Sequence, residues 1–361
     1  MKKKILSAAL TLLIAVGAAG CAGASGSSTE KNTEAATTQT TQPAEEKTTG
    51  EDAVADTKEP VTVRLAIDTA AGGSFQVRVA NKQGYFEDYG IDAQISNFAY
   101  GIDTINALLV GQSDTASGAD YALINSLGKG DLVVVSSLSQ TNDKSAEKTL
   151  LFVKGDISTA SDLKGKKLGV QKGTVYEYIW AKYLETNGIA ESEIEYVPFS
   201  TPDEAIVSLQ NGDMDAVWIG GALATKFEQL EGVKVLGNVL DSGVNISAYL
   251  LLERSFVEEN PEAVAGVLKA IYDGMNYIPG HEEETAKLAF EELKLPEESV
   301  LEDLKYTNYA LGFSQEDFDH LEDIKKWSEE HGILTDQYDL KDKINVTPLQ
   351  NSFPELLTYE P

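Results

Sequence analysis

Val61-Thr62-Val63-Arg64-Leu65-Ala66-Ile67, followed by Asp68-Thr69-Ala70-Ala71-Gly72-Gly73-Ser74, is the stretch on which the fold turns. The first seven residues are an apolar, β-branched run of strand length, and the next seven are small and polar. A helical spacing of Phe75, Val79 and Phe86 then runs to Tyr89-Gly90, where glycine stops it. Ile91 to Phe98 reads as a second strand, about Asp103 to Val110 as a second helix, and a third strand begins near Asp114. Strands alternating with helices of this size predict parallel βαβ units and an α/β fold.

The pattern recurs about one hundred residues later. Lys167 to Val170 is a strand, Gly173-Thr174 a small junction, and Val175 to Asn187 a helix stopped by Gly188. Ile194 to Phe199 and Asp203 to Gln210 supply the next strand and helix. Leu109-Val110-Gly111-Gln112-Ser113-Asp114 lines up with Leu209-Gln210-Asn211-Gly212-Asp213-Met214-Asp215, and both glycines are placed as helix C′ caps. Two similar lobes predict a cleft, with ligand beyond the carboxyl ends of the strands. The expected organisation is lobe 1 at residues 61–154 plus 245–361 and lobe 2 at 155–244, hinged near Val153–Asp156 and Val244–Ser247. After Leu236 a strand at Val244 to Leu252 returns to lobe 1. Helices at Pro261–Tyr277, Glu282–Leu293 and Gln315–Glu330 form a C-terminal cap, and a loose tail is expected from about Tyr338.

The other end of the chain carries an address. Lys2-Lys3-Lys4 precede an apolar run from Ile5 to Ala19, broken by Ser7, Thr11 and Gly17. A basic start, a short apolar stretch and small residues before a cut site read as a signal peptide over residues 1–20. An uncleaved anchor is the alternative, and it is short of the roughly 20 apolar residues a spanning helix needs. Ala18-Ala19-Gly20-Cys21 resembles a lipobox, with Ala18 where leucine is usual, so Cys21 is the expected site of lipidation. It is the only cysteine, which rules out an intrachain disulfide framework. Residues 21–60 are rich in Thr, Ser, Ala, Glu and Lys and too poor in large apolar residues to offset ordering entropy, so a disordered tether is expected.

The 361 residues carry 29 Lys+Arg against 58 Asp+Glu, a net charge of −29. Loss of the signal takes Lys2, Lys3 and Lys4 and makes the balance more acidic still. Such a chain repels phosphate backbones and anionic headgroups, which excludes nucleic acid as a partner.

Ala80 to Asp92 (ANKQGYFEDYGID) resembles the first-helix signature of solute-binding proteins of the nitrate/sulfonate/taurine type, relatives of the thiamine-precursor receptors. Ala107 to Asp114, Asp162 to Val170 (DLKGKKLGV) and Ala205 to Ala216 resemble further family segments. The resemblance implies a type II periplasmic-binding-protein fold and a monomeric, extracytoplasmic receptor. That receptor closes over one small solute and delivers it to an ABC permease and, through it, an ATPase. Carried over position by position, the pocket involves Gly73, Ser74 and Phe75, then Asp120 and Tyr121, then Gln140 and Thr141. The second lobe adds Gly173, Thr174, Tyr176, Trp218 and Gly220, and Asn245 sits near the returning strand.

Read as chemistry, small residues at the junctions expose N–H groups at helix starts and suit anions or carbonyl oxygens, although the same residues serve as simple N-caps. A sulfonate or nitrate is best met by a cation, yet the junctions carry none, Arg78 and Lys172 being nearest. Asp68 and Asp120 stand there instead, beside Tyr121, Tyr176 and Trp218, a set that suits a neutral or cationic nitrogen heterocycle. Asp120 reads equally as an N-cap, and Trp218 equally as core. Catalysis finds little support. His281, His320 and His331 lack zinc-ligand spacing, no cysteine lies in the folded part, and Gly169 to Thr174 has the wrong spacing for a phosphate loop. Neither a metal nor a cofactor is expected.

Overall fold

The computed structural model describes residues 59–69 and 74–360. The signal segment, Cys21, the tether up to residue 58 and Gly73 lie outside the described residues.

The strands are β1 (Val61–Asp68), β2 (Ile91–Phe98), β3 (Thr115–Ala119), β4 (Leu132–Gln140), β5 (Leu150–Lys154), β6 (Lys167–Val170), β7 (Glu195–Pro198), β8 (Ala216–Ile219), β9 (Val233–Asn238), β10 (Ser247–Glu253), β11 (Tyr309–Ser314) and β12 (Leu357–Thr358). Seven form one sheet, ordered β12-β11-β4-β10-β3-β1-β2, and five form a second, ordered β7-β6-β8-β5-β9. In each, three parallel strands (β2-β1-β3 and β7-β6-β8) are followed by an antiparallel strand that arrives from the other half of the chain. This is the doubled α/β architecture the repeat predicts.

The repeat segments do equivalent work. Gly111 and Gly212 both adopt positive φ, 69° and 79°, at the ends of their helices. The aspartate that follows ties neighbouring strands together. Asp114 donates its N–H to Arg64 O and accepts from Arg64 N at 2.8 Å, while Asp215 makes the same pair of bonds with Lys167. Each carboxylate thus fixes the register of one parallel strand on the next, where no hairpin can do so. Gly212→Ala is expected to lower stability by about 1 kcal/mol, because a Cβ is strained in the left-handed region. A urea midpoint would measure it.

Three expectations are corrected. The Phe75–Tyr89 helix is interrupted at Gly84, φ 81°, because glycine tolerates a left-handed turn inside an otherwise helical pattern. The chain leaves the first sheet earlier than residue 154. Leu150–Lys154 is an interior strand of the second sheet, paired with both β8 and β9, so the crossover is residues 141–149 and not Val153–Asp156. The apolar run of β5 carries no boundary of its own; the polar Thr141-Asn142-Asp143 does. The return is residues 239–246, and the two crossovers are tied by Thr141 N to Ile246 O and Val239 N to Thr149 O, each 2.9 Å.

The third correction concerns the tail, which is not loose. A helix at Thr347–Ser352 and strand β12 hold it, Leu340 and Leu349 are fully buried, and β12 pairs parallel with β11.

Candidate functional site

A cavity of about 150 Å³ lies between the two sheets, at the carboxyl ends of their parallel strands. The first sheet contributes Asp68 at the end of β1, Ser74 and Gln76 at the start of the next helix, and Tyr100-Gly101-Ile102 after β2. The second contributes Thr174-Val175-Tyr176 after β6 and Gly220-Gly221 after β8. Gln140 lines it from the end of β4, Thr141, Lys148 and Thr149 from the crossover, and Asp303 and Tyr309 from the C-terminal region.

Local chemistry explains these positions. Thr174 caps the Val175–Thr186 helix, accepting from Tyr176 N at 3.3 Å and donating to Gln171 O at 2.7 Å. Ser74 is held at φ 50°, rare for a residue with a Cβ. A Cβ on Gly220 would stand 3.0 Å from Thr149 Oγ1 and 3.2 Å from Tyr176 Oη, so this glycine keeps the wall open. Gln140 spends its amide nitrogen on Asp317 Oδ1 at 2.8 Å. Thr141 Oγ1 donates to Ile246 O.

The other candidates stand elsewhere. Phe75 is core, 2% exposed. Asp120 is fully buried behind the cavity, accepting from Tyr121 N, Ser247 N and His320 Nε2 at 2.7–2.8 Å. The Tyr121 ring stacks on Tyr178, and its hydroxyl donates to Glu177 Oε2 at 3.3 Å, which also accepts from Gly173 N at 2.9 Å. Trp218 is 1% exposed and meets Trp180 and Tyr183 edge-on, at 5.7 and 5.4 Å between ring centroids. Asn245 is exposed, on the returning crossover, and does not line the cavity. Arg78 is turned to Glu292 and Asn97, both at 2.7 Å, and Lys172 is exposed.

Sequence reasoning missed Lys148, Asp303 and Tyr309. No periodic signal marks them, since each reaches the site through a crossover or a C-terminal element. Lys148 lies 3.3 Å from Glu302 and stacks over Tyr306 at 4.3 Å. Burial lifts Asp303 to about 6, against the opposing effects of the Ala222 backbone hydrogen bond and of Lys148. Burial also pushes Tyr176 up to about 12. A Gly220 backbone hydrogen bond opposes that rise, and the charges of Asp68 and Asp303 add to it. Tyr309 is raised by burial and by the same two carboxylates, against the opposing charge of Arg78. Asp68, Arg78, Asp303, Tyr176 and Tyr309 are therefore one electrostatic cluster. Among the described residues, no group of three or more His, Cys, Asp or Glu could hold a metal ion.

Two α/β sheets joined by paired crossovers, with a small-molecule cavity between them, define the two-lobed periplasmic-binding-protein architecture. A family described as "NMT1/THI5 like" matches residues 74–285, and the chain belongs to it. A relative from Escherichia coli (strain K12), provisionally named an aliphatic sulfonates-binding protein, is 27% identical over 68% of this chain and 75% of its own. A Bacillus subtilis (strain 168) protein of the same provisional name is 24% identical over 70% and 75%. Among solved structures, the alkanesulfonate-binding protein SsuA from Xanthomonas axonopodis pv. citri superimposes with a TM-score of 0.70 at 17% identity, covering 80% of this chain and 99% of that one. The nitrate-binding protein NrtA from Synechocystis PCC 6803 does so with 0.64 at 14% identity, covering 82% and 89%.

Proposed function

We propose that this chain is the extracytoplasmic solute receptor of an ABC importer, anchored to the membrane by a lipid on Cys21. It captures a small solute between its lobes and presents it to a permease coupled to an ATPase. The carrying observation is the cavity, whose wall is drawn from both sheets and from both crossovers. A ligand that touches both sides stabilises the closed form and shifts the balance toward it. Family membership and the relatives' names support the role; sulfonates and nitrate are what those names point to. A second reading, a nitrogen heterocycle, is favoured by the two carboxylates at the wall. The role holds for either.

Residues 141–149 and 239–246 serve as the hinge, and residues 21–60 as the tether. Among the described residues no helix is long and apolar enough to cross a membrane. The chain acts as a monomer and turns nothing over.

The test is a thermal-shift screen with taurine, alkanesulfonates, nitrate, pyrimidine precursors of thiamine and riboflavin, because a ligand of the native state raises its melting temperature. With the best binder, X-ray scattering is expected to show a smaller radius of gyration. A melting shift with unchanged scattering would remove closure from the mechanism. Formation of a product from any solute would replace the receptor with an enzyme.

A further inference from the structure

We infer that an aromatic latch outside the cavity, Tyr178 of the second lobe packed on Tyr121 and Trp327 of the first, holds part of the unliganded population closed and so sets how tightly solute binds. The inference rests on the receptor reading of the cavity, yet none of these three residues lines that cavity.

The Val175–Thr186 helix belongs to the second lobe. Its Ile179, Trp180, Tyr183 and Leu184 are buried, and Trp180 Nε1 donates to Gly169 O of β6 at 2.8 Å. Tyr178 is half-buried and crosses to the first lobe instead. Its ring stacks on Tyr121, with centroids 5.4 Å apart and planes at 10°, and meets Trp327 edge-on at 4.7 Å. Tyr121 stands in the Asp120–Leu127 helix after β3 and Trp327 in the Gln315–Glu330 helix after β11, and both strands belong to the first sheet. His331 extends the contact. Its ring lies on Trp327 at 4.1 Å, and its Nε2 is 3.7 Å from Glu185, two helical turns beyond Tyr178 on the same face.

Two features give this contact a function. Its partners are all protein groups away from the cavity, so it favours the closed form whether or not solute is bound. Glu177 then couples it to the binding wall: Oε2 accepts from Tyr121 Oη across the lobes at 3.3 Å and from Gly173 N in its own lobe at 2.9 Å. Gly173 opens the junction whose Thr174, Val175 and Tyr176 line the cavity. An apparent affinity is the intrinsic one scaled by the fraction of protein in the binding-competent form. Aromatic contacts that raise this fraction tighten binding without touching solute.

The test compares wild type, Tyr178→Ala, Tyr178→Leu and Tyr178→Phe as purified full chains, with circular dichroism to check folding. Without solute, X-ray scattering should give Tyr178→Ala a larger radius of gyration than wild type. Tyr178→Phe, which keeps the ring, should match wild type. Tyr178→Leu keeps bulk without the ring and should move as alanine does, so a misfolded alanine variant does not decide the matter. Taurine, n-butanesulfonate and nitrate are then titrated by calorimetry. Whichever binds wild type should bind Tyr178→Ala about two- to tenfold more weakly and Tyr178→Phe equally. Tyr121→Phe, which cuts the Glu177 tie and keeps the stack, should show a smaller loss in the same direction. Equal radii, or equal affinities, for wild type and the two variants without a ring overturn the latch and leave the receptor reading standing. Silence across the wider solute screen, with the radius still larger in those variants, removes the receptor reading and leaves the latch as the contact that holds the two lobes together.

Discussion

Trp218→Ala lowers the stability of the folded domain by about 3–5 kcal/mol, the range for emptying a large aromatic from a packed core. The indole is 1% exposed on β8, with Trp180 and Tyr183 edge-on against it. Its removal deletes two aromatic contacts and opens a void that the sheet closes only in part, since β8 is held on both sides by β5 and β6. Urea denaturation would report the loss as a lower midpoint with little change in slope. Trp218 does not line the cavity, so binding by the surviving folded fraction should be nearly unchanged. A stable Trp218→Ala protein with weakened binding would place the indole at the ligand.

Asp120→Ala is expected to cost about 1–3 kcal/mol, because two backbone N–H groups and the partly exposed His320 lose a fully buried acceptor. The carboxylate holds three donors: the N–H of Tyr121, the N–H of Ser247 where the returning crossover enters β10, and His320 Nε2. The variant also changes how stability depends on pH. Burial opposes the charge on His320, but the Asp120 hydrogen bond and charge, helped by Asp317 and Asp323, outweigh it and raise the imidazole above 6.5. A group whose folded value is raised contributes stability below its unfolded value and loses it as pH rises through the folded one. Wild-type protein should therefore lose this contribution from about pH 6.5 upward, and Asp120→Ala should lack that component. His320→Gln keeps a donor for Asp120 and should be milder than Asp120→Ala. A pH series of urea midpoints on the three proteins separates these outcomes. Identical pH profiles in all three would show that the pair contributes nothing.

These two residues show where reading a sequence reaches its limit. Trp218 and Asp120 both stand at strand ends beside a cleft, and both are the residue types a ligand would want. In β8 all four side chains are buried, so alternation, which separates a core face from an exposed one, carries no information there. Asp120 faces away from the cavity because Ser247 and His320 claim its oxygens, and those partners are distant in sequence. Asp303 and Tyr309 were invisible for the converse reason. They lie between the helices read as a cap, in a helix and a strand that the sequence reading did not identify, and only packing brings them beside Asp68.

The opening strand-and-junction stretch, the second copy of it, the paired glycines 111 and 212 and the paired aspartates 114 and 215 were all legible. So was the α/β class they imply. Each is a local statement: a period, a cap or a spacing set within a few residues by backbone geometry. The tertiary structure alone decided that the chain crosses between sheets at residues 141–149, that the tail is pinned by β12, and that two carboxylates face one cavity. Those facts depend on which distant surfaces bury one another, and the free energy that selects them belongs to no single segment of the chain.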